Sequence, residues 1–527
     1  KINKANNSCD KINMAKVLFL QDLWIEYYGV MQLSSVLKKH GHNVDILFDS
    51  QINTLKEIKK IKPDLIAYSL MSMQWDWAKS MSTFLKQNGI QSPQIVGGIH
   101  STMTPEITIK HEGIDIVCVG EGERAFSELC NAIDKKIDYS TIKNLWVKKE
   151  NNINKNAIRP KLTSDELTEL PFPDRNLYTK YKYFQKYPFV TFVGSRGCPF
   201  KCSFCEVPDI VNLSGTGKST VYQRVDSFIA EIEETKKRGL LKNKLLMFTD
   251  STFNSHKKWL IEFCQQYKEK INLPWSCNLR AEIVDEDQVK AMKLANIDSV
   301  RFGVESGDEE IRYNVLNKGK VSNEKLFNCA NLLKKYKIPY QTYNMFGLPT
   351  ETYEQAWETI KINQKIKPYT ITMSILYLFQ NLGITDLALK KGLIDKKDLD
   401  KSNEPPYNYH LSLLALHPEK NKDIVKICNL QKFSILVIRF PFLEPLVRQL
   451  CKLPHNSFFS FIYMVCQAWE WRKWSTKSTI RRMFYEGLLN YNAMYVRNEN
   501  EDGIFVKLSR LLVQRVRHKF TSQYPTR

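Results

Sequence analysis

The feature that most constrains this chain is the segment Gly194-Ser-Arg-Gly-Cys198-Pro-Phe-Lys-Cys202-Ser-Phe-Cys205, which follows an apolar run. Cysteines spaced by three and then two residues can wrap three thiolates around one soft metal centre. A structural zinc site asks for four ligands, usually in two Cys or Cys/His pairs. The next cysteines, Cys264 and Cys277, stand far downstream in a predicted helix and strand. Three thiolates without a fourth leave a coordination vacancy, which on a [4Fe–4S] cluster is one exposed iron. Twelve cysteines in 527 residues are too few for a disulfide scaffold. Residues 1–13 are polar and read as an extension without a signal-peptide pattern. The expected location is therefore cytoplasmic, with reduced thiols free to bind metal.

A chain of this length exceeds one ordinary core, so several domains are expected. From residue 15, apolar runs at 16–20, 44–48, 64–70, 94–99 and 115–119 alternate with amphipathic stretches at 30–40, 54–60, 75–88, 105–111 and 123–133. Five strands with intervening helices predict a doubly wound, Rossmann-like parallel sheet, whose ligands bind beyond the strands' carboxyl ends. No Gly-x-Gly-x-x-Gly follows the first strand, where Gln21-Asp22-Leu23-Trp24 stands instead. The strand ends carry Ser69, then Gly97-Gly98-Ile99-His100, then Gly120-Glu121-Gly122-Glu123. Paired glycines let a bulky group approach the backbone, although a tight turn would use them equally well.

Together with Leu33, Leu37, Gly41 and His42, these motifs resemble the cobalamin-binding domain at the N-terminus of many radical SAM enzymes. The resemblance implies cobalamin held by Ser69, Gly97, Gly98, His100 and Glu121. The Asp-x-His-x-x-Gly signature of proteins that ligate cobalt through His is absent, which implies cobalamin without a His lower ligand.

Strand-like segments at 190–195, 244–249, 274–279, 299–305, 340–346 and 370–378 predict six strand–helix units, an incomplete eight-fold barrel. Polar residues fall at their carboxyl ends: Asp250-Ser251-Thr252, Arg280, Glu305-Ser306-Gly307 and Tyr343-Asn344. Phe302-Gly-Val-Glu305-Ser-Gly307 and Phe346-Gly347-Leu348-Pro349-Thr350-Glu351-Thr352 resemble two strand-end motifs of the radical SAM superfamily, as does the cysteine segment itself. That resemblance covers about residues 15–380. It implies a [4Fe–4S] cluster on Cys198, Cys202 and Cys205, with S-adenosylmethionine (SAM) chelating the fourth iron. Phe204, Asp250, Arg280, Glu305 and Gly347 are the implied SAM contacts. Structural alternatives exist: Glu305 pairing with Arg280 or Arg301, and Asp250 capping the next helix. The segment Ser214-Gly-Thr-Gly-Lys218-Ser219-Thr220 imitates a phosphate loop, but Asn212 replaces the first glycine and no strand leads into it. It reads as a basic loop between cluster and helix.

The expected organisation is α/β. A cobalamin-binding domain spans 14–135, a charged and Pro-rich linker with a short strand pair around Leu145–Lys149 spans 136–188, a partial (β/α)6 radical SAM barrel 189–385, and a mainly helical C-terminal region 386–527. Residues 404–409 read as irregular. Residues 433–474 interleave Phe433, Phe440, Phe442, Phe458, Phe459, Phe461, Trp469, Trp471 and Trp474 with Arg439, Arg448, Lys452, Arg472 and Lys473. Such helices can cover the open side of an incomplete barrel, the preferred reading, or lie in a bilayer interface. The net charge of +21 suits anionic partners without naming one. No aromatic–basic alternation on strands points to nucleic acid.

The family resemblance implies a cobalamin-dependent radical SAM enzyme, most simply a methyltransferase acting on an unactivated carbon. It would work through a 5′-deoxyadenosyl radical and methylcobalamin, with a flavodoxin- or ferredoxin-type electron donor and a small-molecule, lipid or glycan substrate. A cyclase, hydroxylase or rearrangement enzyme would use the same cofactors. A non-catalytic cobalamin- or cluster-binding sensor would need no SAM-contacting strand ends.

Overall fold

Short apolar runs that cannot bury themselves alone are assembled here into two sheets. The computed structural model describes residues 14–48, 51–150, 152–215, 217–403 and 411–474. The expectations for 1–13, for 404–409, for the C-terminal region beyond 474 and for the Trp474 side chain lie outside the described residues. The chain divides into one unit of Lys1–Arg159 with Leu170–Tyr178, and another of Pro160–Glu169 with Thr179–Arg527.

In the first unit, β1 (Lys16–Gln21), β2 (Asn43–Phe48), β3 (Leu65–Ser69), β4 (Gln94–Gly97) and β5 (Ile116–Cys118) pair in parallel. The sheet order begins β2-β1-β3-β4-β5, so the winding reverses beside β1 and helices pass over both faces. Strands covered on both sides must be apolar throughout, and Val17–Leu20 are buried without alternation. The 136–188 stretch is not a separate linker. Its strands β6 (Leu145–Lys149) and β7 (Asn152–Lys155) extend the same sheet in antiparallel fashion. They cover the edge that the three-residue β5 would otherwise expose. Asn144 locks the junction, donating from Nδ2 to the Val119 carbonyl at 2.7 Å.

The second unit contains β8 (Phe189–Phe192), β9 (Ser195–Gly197), β10 (Thr220–Tyr222), β11 (Leu245–Phe248), β12 (Trp275–Leu279), β13 (Ile297–Glu305), β14 (Tyr340–Phe346) and β15 (Thr370–Ile375). Six of these form one parallel sheet in the order β8-β11-β12-β13-β14-β15. Neighbours follow chain order, so right-handed crossovers place the helices on one face, as in a barrel segment. That outer face carries Phe192, Phe248, Trp275, Val300 and Phe302, packed against Phe228, Phe263 and Leu326 of the helices. Alternation along the strands sends Asn278, Arg301, Gly303, Glu305 and Tyr343 to the opposite, inner face.

The described C-terminal part is helical. Ile424–Arg439 and Ser457–Trp474 bury Ile427, Leu430, Phe433 and Phe459 against Phe346, Ile371 and Met373 of the last two strands. The edge of β15 is held electrostatically as well. Buried Glu470 accepts a hydrogen bond from the Ile371 amide at 3.1 Å and pairs with Arg439 at 2.7 Å. Phe440, Phe442, Phe458, Phe461, Trp469 and Trp471 are exposed. The segment thus combines a buried lid with an aromatic outer surface. Among the described residues no helix is long and apolar enough to cross a membrane.

Candidate cofactor sites

The cysteine loop is prepared by a small hairpin absent from the sequence expectation. Gly197, at φ +87°, ends β9, and a Cβ there would lie 2.1 Å from the Ser219 carbonyl oxygen. Glycine is therefore needed for β10 to close on β9. Residues 217–219, the end of the imitation phosphate loop, lead into this supporting strand, and the next helix begins at Val225.

Beyond Gly197 the loop is anchored at several points. Ser203 donates from its amide to the Leu316 carbonyl at 2.9 Å and from Oγ to the Val315 carbonyl at 2.6 Å. Asn317 Nδ2 donates to the Lys201 carbonyl at 2.7 Å. The Cys205 amide turns back to the Cys202 carbonyl, with half-buried Phe204 in that turn. Arg280, directly after β12, donates from Nη1 to Cys202 Sγ at 3.0 Å, and its guanidinium lies 4.0 Å from the Phe200 ring centre. It also contacts Glu282 and the Lys318 carbonyl. Burial pushes the Cys205 thiol up to about 12, so a thiolate there needs a bound cation. Three half-buried thiols on one anchored loop, one beside a guanidinium, fit an iron–sulfur cluster. Cys264 and Cys277 are buried in the outer core and supply no further ligand to this loop.

The other strand-end residues divide into two groups. Glu305 sits on the inner face at φ +66°, a costly conformation for a side-chain-bearing residue. It pairs with Lys318 at 3.1 Å rather than with Arg280 or Arg301. Gly303 makes room for it, since a Cβ there would collide with Glu305 Oε1. Asp250, by contrast, is buried and engaged by the protein's own groups. Its carboxylate accepts from the Gly194 amide at 3.1 Å and from Ser195 Oγ at 2.5 Å, tying β11 to the start of the cysteine loop. Burial raises its pKa to about 6. It does not cap the following helix, where His256 Nδ1 accepts from the Trp259 amide.

Gly347, at φ +74°, donates its amide to Glu351 Oε2 at 2.8 Å, and the Leu348 amide joins at 3.1 Å. The Gly347 turn is therefore closed by Glu351, whose pKa burial raises to about 8. Gly307 meets the helix Tyr353–Ile366, donating to Thr359 Oγ1 at 2.8 Å. Asn344 lies beneath the same helix, accepting from Asn363 Nδ2 at 2.7 Å, and is not a mouth residue.

In the first unit Ser69, Gly97, Gly98, His100 and Glu121 gather at the carboxyl ends of adjacent strands β3, β4 and β5. Ser69 lies beside Gly97 in register. Gly98 has φ +92°, and a Cβ there would come within 2.7 Å of the Leu70 amide nitrogen. Its missing side chain thus serves the protein's own backbone, correcting the expectation that it clears space for a ligand. At Gly97 a Cβ would meet only ordinary contacts, the nearest at 3.8 Å. His100 is buried, stacked on Trp75, with Nδ1 3.3 Å from Ser72 Oγ and Nε2 3.3 Å from Thr104 Oγ1. Burial lowers its pKa to about 4. A side-chain-free Gly97 at the strand ends, and a buried His100 whose ring nitrogens face Ser72 and Thr104, fit cobalamin held without that ligand.

Residues 25–130 match the B12 binding domain, and residues 192–362 match the radical SAM superfamily. The chain belongs to the cobalamin-dependent radical SAM enzymes. An uncharacterized methyltransferase of Pyrococcus horikoshii is 28% identical over 375 residues, covering 69% of this chain and 79% of the relative. The anaerobic magnesium-protoporphyrin IX monomethyl ester cyclase of Rubrivivax gelatinosus is 25% identical over 384 residues, covering 68% of this chain and 66% of the cyclase. The solved structure of the radical SAM methyltransferase TsrM from Kitasatospora setae, with cobalamin and a [4Fe–4S] cluster bound, shares the fold. Its TM-score is 0.61 at 18% identity, with 72% of this chain and 76% of that one covered. The cofactors of this cobalamin-dependent radical SAM enzyme are a [4Fe–4S] cluster, SAM and cobalamin.

The two glycines of the B12-binding unit should separate by experiment. Gly97→Ala should unfold within about 0.5 kcal/mol of wild type, the range of uncomplicated substitutions, yet retain less cobalamin after desalting. Gly98→Ala should be destabilised by about 1–3 kcal/mol through its backbone conformation and the clash with Leu70. Iron content should stay unchanged in both. Equal stability of the two variants would contradict this assignment.

Proposed function

We propose that this enzyme is a methyltransferase acting on an unactivated carbon of an organic substrate. The observation that carries the reading is the anchored three-thiol loop facing Arg280, in a chain that also carries a B12-binding domain. The methyltransferase relative supports it. When bound, the three cofactors supply hydrogen-atom removal from carbon and a methyl group to replace it.

In this reading Cys198, Cys202 and Cys205 hold the cluster, and Arg280 offsets its negative charge at Cys202. Phe204 and Glu305 contact the nucleoside of SAM, with Lys318 fixing the Glu305 carboxylate. Asp250 and Gly347 act as positioning residues, one fixing the cysteine loop and the other the turn after β14. Ser69, Gly97 and Glu121 border the corrin, Gly98 shapes their loop, and His100 supports it as a neutral side chain. A second reading, ring closure on the same cofactors, draws on the cyclase relative.

The organic substrate is a small molecule, lipid or glycan, and a flavodoxin- or ferredoxin-type protein in the cytoplasm delivers electrons. The exposed rings of Phe442, Phe458 and Trp469, with Arg472 over the Trp469 ring and Lys452 also exposed, support weak peripheral contact with an anionic lipid surface. Sedimentation with anionic vesicles should weaken as salt rises and be lost in Phe442→Ser/Trp469→Ser. Vesicle binding unaffected by both changes would contradict the contact.

The enzymatic reading is tested with anaerobically reconstituted protein, SAM bearing a trideuterated methyl group, and candidate substrates. Wild type should hold about four irons per chain, release 5′-deoxyadenosine on reduction, and yield a product carrying the label. Cys202→Ala should lose all three. A product that is dehydrogenated or cyclised, without label, would replace methyl transfer by the second reading.

A further inference from the structure

The middle of β13 holds a charge for which no counter-charge stands among the described residues. Val300, Phe302 and Val304 are all in the outer core, so Arg301 between them points to the inner face, in register with Asn278 of β12 and Gln341 of β14. It is only 7% exposed. Its hydrogen bonds are a long one from Nη2 to the Phe248 carbonyl at 3.4 Å and one to the neutral Tyr343 side chain, and its buried Nε has no partner. Among the described residues it makes no ion pair. The other buried guanidinium groups of this unit are satisfied. Arg280 has Glu282 and Cys202, and Arg312 has the Val321 and Ser306 carbonyls and Asn323. On the same face of the strand, the carboxylate of Glu305 is engaged by Lys318, and Asp298 of the strand is exposed.

A guanidinium stays charged at any working pH, and burying it without a counter-charge is among the costlier features a fold can carry. Unpaired buried polar groups are rare enough to need a reason. Tyr343, on the same face of the neighbouring strand, places a second buried polar head beside it, and its pKa is raised by burial against the opposing influence of Arg301. Gln341 is occupied with Thr372 Oγ1 at 2.9 Å and does not neutralise the charge.

We propose that Arg301, with Tyr343 beside it, anchors an anionic oxygen group, a carboxylate or phosphate, of a small molecule bound against the inner face of the sheet. The planar fork of Arg suits two-point binding of such a group. The inference rests on the inner face being the reaction chamber, and it narrows the ligand class to one that carries an anion at this depth. The group comes either from the carboxylate of SAM or from the organic substrate.

The test uses the full chain loaded with cluster and cobalamin, and needs no turnover, so it stands or falls separately from methyl transfer. Thermal unfolding at constant ionic strength is followed against sodium phosphate and sodium succinate, with chloride as control. SAM and its decarboxylated analogue are measured by equilibrium dialysis. Wild type should bind at least one of these carboxylate or phosphate probes through Arg301, and Arg301→Gln should weaken that binding tenfold or more. Arg301→Lys, which keeps the charge and guards against a folding failure, should weaken it less. A loss confined to SAM, sparing the decarboxylated analogue, assigns the anion to SAM. A loss confined to phosphate or succinate assigns it to the organic substrate. Affinities for SAM and for both anions that are absent in wild type, or that change less than twofold in Arg301→Gln, overturn the proposal and leave Arg301 structural.

Discussion

The contact of Arg280 with Cys202 is the interaction on which the site depends. One guanidinium reaches a sulfur of the metal-binding loop, stacks on Phe200 within that loop, and bonds the Lys318 carbonyl and Glu282. It therefore joins the end of β12, the cysteine loop and the segment after β13 in one cation-centred junction. Asp250 adds a tie from β11 to the same loop through Gly194 and Ser195. A loop held from several rigid elements keeps its thiols in place before any cofactor arrives. The strain at Glu305 belongs to the same design, because an acid in a left-handed conformation persists only where its surroundings fix it.

Much of this was legible in the residues, for identifiable reasons. Parallel strands buried on both faces read as continuous apolar runs, which placed β1–β5, while the six strands of the second sheet showed as short apolar segments ending in polar residues. The cysteine spacing carried its chemistry directly. What escaped depends on contacts between distant parts of the chain. Strands β9 and β10 are three residues each, too short for any period to show. Gly98 was read as clearing space for a ligand, whereas the neighbouring Leu70 backbone requires it. Asp250 and Asn344 sit at strand ends in the sequence, but one clamps a loop and the other faces a helix. The strand pair around Leu145–Lys149 was legible inside the charged stretch, but not its pairing with β5, which joins it to the first sheet.

The C-terminal helices show how an open sheet edge is managed. Without them β15 would present unpaired backbone groups and the apolar face of Ile371 and Met373. Glu470 takes one of those amides, and Arg439 neutralises the carboxylate that does so. The aromatic residues not used for this cover remain on the outside.

The account turns on three thiolates leaving one iron of the cluster open to SAM. Mössbauer spectroscopy of protein reconstituted with 57Fe, recorded before and after adding SAM, tests this most directly. The account predicts that about one iron in four shifts to a higher-coordinate signature on SAM binding, while the others stay as they were. Four equivalent irons unaffected by SAM, or a loop that takes up zinc and no iron under anaerobic conditions, would contradict it.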